Sequence, residues 1–178
     1  MALKATVYKA NLQIADMDRH YYAEHAFTVS QHPSETEERM MVRLLAFALN
    51  AHEHLTFEQS MEDDAVADLW QKDLTGAIDV WIDVGLPDEK LIRKACGRAK
   101  QVIVYAYGGR PAEMWFEQNC KLFQRQKNLS IFNVAQTSSI EIAKMVQRTM
   151  QLQCNIQDEE IWMIDDKQNL TIELLKLQ

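Results

Sequence analysis

The segment from residue 78 to about residue 147 constrains the fold most. It reads IDVWIDV, a helical stretch from about 88 to 99, QVIVYAY, a second from about 111 to 123, LSIFNVA, and a third from about 137 to 147. The short runs are rich in β-branched and aromatic residues, which suits strands, and the stretches between them place apolar residues at helical spacing. Strands separated by helices of this length are joined by crossovers and lie parallel. The expectation is an α/β protein with a mixed central sheet flanked by helices.

The flanking sequence adds antiparallel structure. Residues 3 to 14 and 21 to 29 alternate apolar and polar around the turn-rich ADMDRH, which predicts an N-terminal hairpin. QHPSETEERMMVRLLAFALNAHE then switches to helical spacing. Ser34 and Glu37 have the spacing of a capping box, and Met41, Leu44, Leu45, Ala48 and Leu49 form its buried stripe. MEDDAVADLW is read as one short helix. The tail, with TMQLQCNIQ, EIWMIDD and NLTIELLK separated by QDE and DKQ turns, predicts short antiparallel strands. With no linker or repeat in between, residues 1–178 read as a single domain.

Composition bounds the function. Nineteen basic against 26 acidic side chains leave a net charge of −7, so a nucleic-acid contact would be local rather than a matter of bulk charge. Cys96, Cys120 and Cys154 are odd in number and lack a CxxC pairing, which argues against a disulfide framework or a zinc site and for a reducing compartment. The N-terminus mixes lysine and polar residues through its apolar positions, unlike a signal peptide, and no apolar run approaches a membrane span. The expected location is cytoplasmic, with no membrane partner.

Two acids stand out in GAIDVWIDVG. On a strand, Asp79, Trp81 and Asp83 share a face opposite Ile78, Val80, Ile82 and Val84. Side chains on that face repeat at roughly 7 Å, which sets Asp79 and Asp83 about 13 Å apart along the strand, so a shared cation would need their carboxylates to converge from either side of Trp81. Inside a covered parallel sheet they need a partner, either a divalent ion or a basic side chain. The plain alternative is a structural salt bridge. Glu38, on the core-facing line of the 34–50 helix, is a third candidate ligand, with a helix-dipole role as its alternative. Lys90, Lys94 and Arg98 line one flank of the helix after Asp83, and Lys94 is the best placed to reach back. Gln101 and Tyr105 share a face of QVIVYAY. His52 and His54, two apart, face away from each other on a helix and make a poor metal pair. Trp81 between the acids reads as core rather than as a stacking platform.

HPSETEERMMVRLL together with GAIDVWIDVGLPDEKLIRKAC resembles the YaeQ family, and the resemblance runs from the MALKATVYKA start through the Met-Gln-Leu-Gln tail. It implies a fold similar to the PD-(D/E)XK nuclease core. In that superfamily a helix glutamate, a strand aspartate, a second strand acid and a lysine two residues later hold Mg²⁺ and activate water. Carried onto this chain, Glu38, Asp79 and Asp83 match the acids and would hold Mg²⁺ or Mn²⁺. Position 85, where the lysine belongs, is Gly85. Lys94 is the replacement that position suggests, with Gln101, Tyr105 and Trp81 as further lining.

Two functional expectations follow. One is a metal-dependent phosphodiesterase acting on nucleic acid, with Arg39, Arg43, Arg93 and Arg98 toward the phosphates. The other is a nuclease-like fold without catalysis, working as a binding or regulatory module. A third reading leaves the carboxylates as partners of arginines such as Arg43.

Overall fold

The computed structural model describes residues 4–58 and 66–178. Among these residues it has a mixed α/β architecture with two mixed sheets and four helices, α1 (Glu37–Asn50), α2 (Glu89–Arg98), α3 (Arg110–Phe123) and α4 (Gln136–Ala143). The chain divides into two compact units, Met1–Ala48 with Thr137–Glu173, and Leu49–Gln136 with Leu174–Gln178. The single central sheet expected from the sequence is thus replaced by one sheet in each unit.

The first unit contains strands β1 (Thr6–Asp16), β2 (Tyr21–Gln31), β8 (Thr149–Gln157), β9 (Glu160–Ile164) and β10 (Asn169–Ile172), in the order β10-β9-β8-β1-β2. β1 and β2 form the expected hairpin, with Thr6 opposite Gln31 and Asp16 opposite Tyr21. β8, β9 and β10 are antiparallel as the tail predicted, but β8 joins β1 in parallel, Leu12 beside Leu152. Alternation decides the core: Ala10, Leu12, Ile14, Leu152, Cys154 and Met163 are all buried.

Helix α1 departs from the sequence reading twice. Its cap is Thr36, whose Oγ1 accepts from the Arg39 amide at 3.1 Å, because the helix begins at Glu37 and Thr36 is the flanking residue. Ser34 instead pairs with His32 Nδ1 at 2.6 Å. The helix is also buried on every side, from Met40 to Ala48, rather than along one stripe. RMMVRLLAFA is apolar all round apart from its arginines, as a fully enclosed helix must be. The enclosed exception, Arg43, donates from Nε and from one terminal nitrogen to the two oxygens of buried Glu35, at 2.7 and 2.8 Å.

In the second unit β3 (Leu55–Phe57), β4 (Leu69–Lys72), β5 (Ile78–Val84), β6 (Ala99–Ala106), β7 (Leu129–Val134) and β11 (Leu174–Lys176) form a sheet ordered β11-β7-β6-β5-β4-β3. β5, β6 and β7 are parallel, as the crossover spacing required, and antiparallel strands flank them on both sides. Of the helix expected at MEDDAVADLW, residues 61–65 lie outside the described residues, and Leu69 and Trp70 belong to β4. Ile92 and Ala95 of α2 and Ala112, Trp115 and Phe123 of α3 pack into one core with Trp81, Val102, Val104 and Ile131. Asp88 caps α2, accepting from the Leu91 amide at 2.8 Å.

Candidate functional site

Strand β5 carries the acids, and its register fixes what they face. Trp81 lies beside Val102 and Asp83 beside Val104, whereas Val80 lies beside Gln101 and Val84 beside Tyr105. Neighbours in register point to the same side of a sheet. Asp79, Trp81 and Asp83 therefore share the side covered by α2 and α3. Gln101 and Tyr105 point to the opposite side, where the Tyr105 hydroxyl accepts from Asn50 Nδ2 at 2.7 Å. The proposed lining by Gln101 and Tyr105 does not form around the acids.

At the start of β5, Asp79 accepts from Lys100 Nζ at 2.6 Å. The ammonium proton is held more tightly than usual, first by the hydrogen bond to Asp79 and then by that carboxylate's charge. Nearby, Asp73 folds its own turn, accepting from the Thr75 hydroxyl and from the Thr75 and Ala77 amides, and these bonds lower its pKa. One step along the strand, Trp70 and Trp81 are cross-strand partners packed edge to face with centroids 5.8 Å apart. Lys72 Nζ sits 3.6 Å from the Trp70 centroid and the Arg98 guanidinium 5.2 Å from that of Trp81. Trp81 is 2% exposed, which makes it core rather than a stacking platform, and its indole nitrogen has no hydrogen-bond acceptor among the described residues.

The far end of β5 is built differently. Leu69 pairs with Ile82, and one further step of that ladder sets Asp68 across from Asp83. The Asp68 Oδ2 accepts from the Val84 amide at 2.7 Å. Gly85 follows with φ +111°, its amide donating to the Tyr105 carbonyl at 2.9 Å. A side chain at position 85 would be strained there, which is the physical reason for glycine where the resemblance asks for lysine. Cys96 on α2 lies within the field of Asp83. Burial, and then that carboxylate, push its thiol up to about 11. Lys94 is exposed on α2 and makes no ion pair among the described residues.

Glu38 belongs to the first unit, where it accepts from the buried Ser139 hydroxyl at 2.6 Å. Among the described residues no group of three His, Cys, Asp or Glu side chains could hold a metal ion. With Asp79 neutralised by Lys100, the described side chains do not fit the Mg²⁺ or Mn²⁺ that the resemblance implies. The arginines assigned to phosphates are also largely committed. Arg39 and Arg43 bind Glu35, and Arg93 pairs with Glu89 one turn away. His52 and His54 lie beyond the end of α1, in contact with each other, their ring centroids 5.5 Å apart.

Three residues with defined roles escaped the sequence reading. Asp68 lay inside a segment read as helix. Lys100 opens a strand whose apolar body drew the attention. Glu35 precedes the helix by two residues, and its one legible signal is the spacing to Arg39 and Arg43 at i+4 and i+8.

No helix among the described residues is long and apolar enough to cross a membrane. The family model described as YaeQ protein matches residues 1–174. A YaeQ protein of Escherichia coli (strain K12) is 42% identical over 178 residues, covering 100% of this chain and 98% of that protein. The crystal structure of the YaeQ protein from Xanthomonas axonopodis pv. citri superposes with a TM-score of 0.94 at 43% identity, over 98% of this chain and 99% of that one. For the YaeQ protein from Pseudomonas syringae the TM-score is 0.93 at 32% identity, over 98% and 96%. With the sequence matched end to end and the fold shared, the chain belongs to the YaeQ family.

Proposed function

We propose that the second unit is a nuclease-like module that binds its ligand without hydrolysing it, and that the ligand is nucleic acid. A mixed sheet flanked by helices, with acids on a central strand, supports the likeness to the PD-(D/E)XK core. One observation carries the absence of hydrolysis. The carboxylate of Asp79, which would hold the metal in an active site, is taken by the ammonium of Lys100. Gly85 adds to this, because its backbone disfavours the lysine that would stabilise charge at the phosphorus. Lys72 and Arg98, held over Trp70 and Trp81, supply local positive charge for a phosphate chain despite the acidic whole.

Plasmid nicking and cleavage of a labelled single strand, each with Mg²⁺ and with Mn²⁺, test the first half. The wild-type chain and an Asp79→Ala/Asp83→Ala chain should both stay at background. Cleavage that the wild type shows and the double variant loses would overturn the proposal and restore a metal-dependent phosphodiesterase that uses Asp79 and Asp83. Fluorescence anisotropy of the same strand at low salt tests the second half. Saturable binding that weakens in Arg98→Ala and falls steeply with added salt is expected. Binding that ignores both salt and Arg98→Ala would overturn nucleic acid as the ligand.

A further inference from the structure

The sheet of the first unit has one side in the core and one side toward water. On the open side the central strands carry carboxamides: Asn11 and Gln13 from β1, and Gln151, Gln153 and Asn155 from β8. The register sets them side by side, Asn11 with Gln151 and Gln13 with Gln153. An aromatic ring stands at each end of the next row. That row runs from Trp162 through Asn155 and Ala15 to Tyr22. Three strand spacings separate its ends, about 14 Å. Two adjoining depressions of about 240 and 320 Å³ open on this face, and Gln13 and Gln153 line both.

An antiparallel sheet commonly leaves one face solvated, so polarity alone requires no ligand. Three observations go further. Tyr22 is 62% exposed, a large ring left on open sheet. Gln153 Nε2 donates to Gln13 Oε1 at 3.1 Å, which leaves both amide hydrogens of Gln13 and the carbonyl of Gln153 without a hydrogen-bond partner among the described residues. Asn11 Nδ2 donates to Glu24 at 2.7 Å, while its own Oδ1 is buried without a donor among the described residues. On β1 the open positions Val7, Lys9, Asn11, Gln13 and Ala15 include one cation and those of β8 no charge, while the carboxylates of Glu24 on β2 and of Asp165 and Asp166 stand at the edges of the two depressions.

We infer that this face is a binding site for a neutral oligosaccharide. A carboxamide offers a donor and an acceptor in one plane, which matches hydroxyl groups that both give and take hydrogen bonds. The C–H face of a sugar ring packs on Trp162 or Tyr22, and the separation of the two rings suits a short chain of sugars rather than one. A phosphate chain would find a single lysine opposite its charges and is disfavoured here. The site lies wholly within the first unit and is independent of the nucleic-acid reading of the second.

The test is a titration of the full ¹⁵N-labelled chain with cellohexaose, maltohexaose, laminarihexaose and chitohexaose in turn. At least one should give saturable shifts at the side-chain amides of Gln13 and Gln153 and at the Trp162 indole. Tyr22→Ala should lower that affinity by about tenfold. Its unfolding midpoint should stay unchanged, since the ring is already in water. Gln153→Ala provides a second variant on an exposed side chain. No shift with any of the four sugars overturns the proposal. So do shifts confined to other surfaces, affinity untouched by both substitutions, or a thymidine oligonucleotide that binds this face more tightly than every sugar.

Discussion

Each unit places an acid against a base, and the two pairs differ in nearly everything except chemistry. Glu35 and Arg43 are both 3% exposed at their side chains, and their contact is two-pronged, with Arg43 also donating to the Ser30 carbonyl and Arg39 adding a second cation. Lys100 and Asp79 are 69% and 27% exposed and share one contact at 2.6 Å. The first pair is a structural element: with water excluded, each charge depends on the other. The second is held in solvent, where its strength is screened and its loss is tolerated. A carboxylate in an ion pair is therefore not one kind of object. Exposure decides whether the pair maintains the fold or merely occupies a site.

Removing Arg43 should break the molecule most. Arg43→Met keeps the helix propensity and much of the volume but leaves the buried Glu35 carboxylate with Arg39 as its remaining cation, at a cost toward the lower end of the about 3–5 kcal/mol of a broken buried pair. Urea unfolding should show the free energy of unfolding falling by that amount, with a matching drop in the midpoint, and Glu35→Gln in the same chain should recover part of it through the coupling of adjacent partners. If the double substitution is as damaging as the sum of the singles, the pair is not the unit that matters.

Position 85 comes next. Gly85→Lys restores the residue expected from the nuclease resemblance, yet it meets a backbone at φ +111°. Space is open around the new Cβ, so the penalty is conformational, about 1–3 kcal/mol. Gly85→Ala should lose nearly as much, because the strain belongs to the backbone rather than to side-chain length. A lysine that is tolerated while alanine is not would mean that its ammonium finds a carboxylate, Asp83 or Asp68, and would reopen the catalytic reading.

The sequence disclosed the parallel half of the fold for a physical reason. IDVWIDV, QVIVYAY and LSIFNVA are near-continuous apolar runs between helices, most of whose residues are buried or half-buried, and such runs have few other solutions. The division into two sheets was illegible because partner choice is non-local. Nothing in TMQLQCNIQ says that it will lie parallel to residues 9–16, some 140 positions earlier. The site divided along the same line. Alternation correctly put Asp79, Trp81 and Asp83 on one face. It could not reveal that α2 covers that face, that Gln101 and Tyr105 point the other way, or that a lysine on the next strand takes Asp79. Each of those depends on register between strands, which a single chain pattern leaves open.

Burial should also separate the thiols. Cys154 is pushed up to about 12, chiefly by burial and secondarily by the Asp16 carboxylate, and Cys96 up to about 11. Because the thiolate is the reactive form, both should resist alkylation in the native protein at neutral to mildly alkaline pH and react at once on denaturation. Mass mapping after a timed iodoacetamide pulse reads this directly. Fast native labelling of Cys154 would show that the first unit opens locally, and would weaken the claim that its buried ion pair sits in a rigid interior. A smaller effect belongs to His25, whose pKa burial lowers. The unfolded chain then binds that proton more readily, so this histidine's contribution is full above its ordinary value near 6.5 and declines as pH falls through the lower folded value. His25→Phe should flatten that part of the stability profile.

The smallest expected change sharpens the comparison most. Lys100→Met removes the partner of Asp79, but the freed carboxylate is part-exposed and rehydrates, so the urea midpoint at neutral pH should not move measurably. The pH dependence supplies the control. The lysine's folded pKa is raised, so whatever it contributes is present below its ordinary value of 10.5 and fades as pH climbs through the higher folded one. Wild type and Lys100→Met should therefore converge at strongly alkaline pH from any small difference seen below it. High salt should narrow the same difference by screening. A midpoint loss comparable to that of Arg43→Met would show that exposure does not sort these two pairs. The companion measurement concerns function rather than stability. If Asp79 is idle only because Lys100 occupies it, Lys100→Met frees the acid, and Mn²⁺ binding followed by calorimetry should then appear where the wild type shows none. Should the variant remain blind to Mn²⁺, the missing ligands lie beyond Asp79, and the proposed absence of hydrolysis then rests on the backbone at Gly85 as well as on the charge pairing.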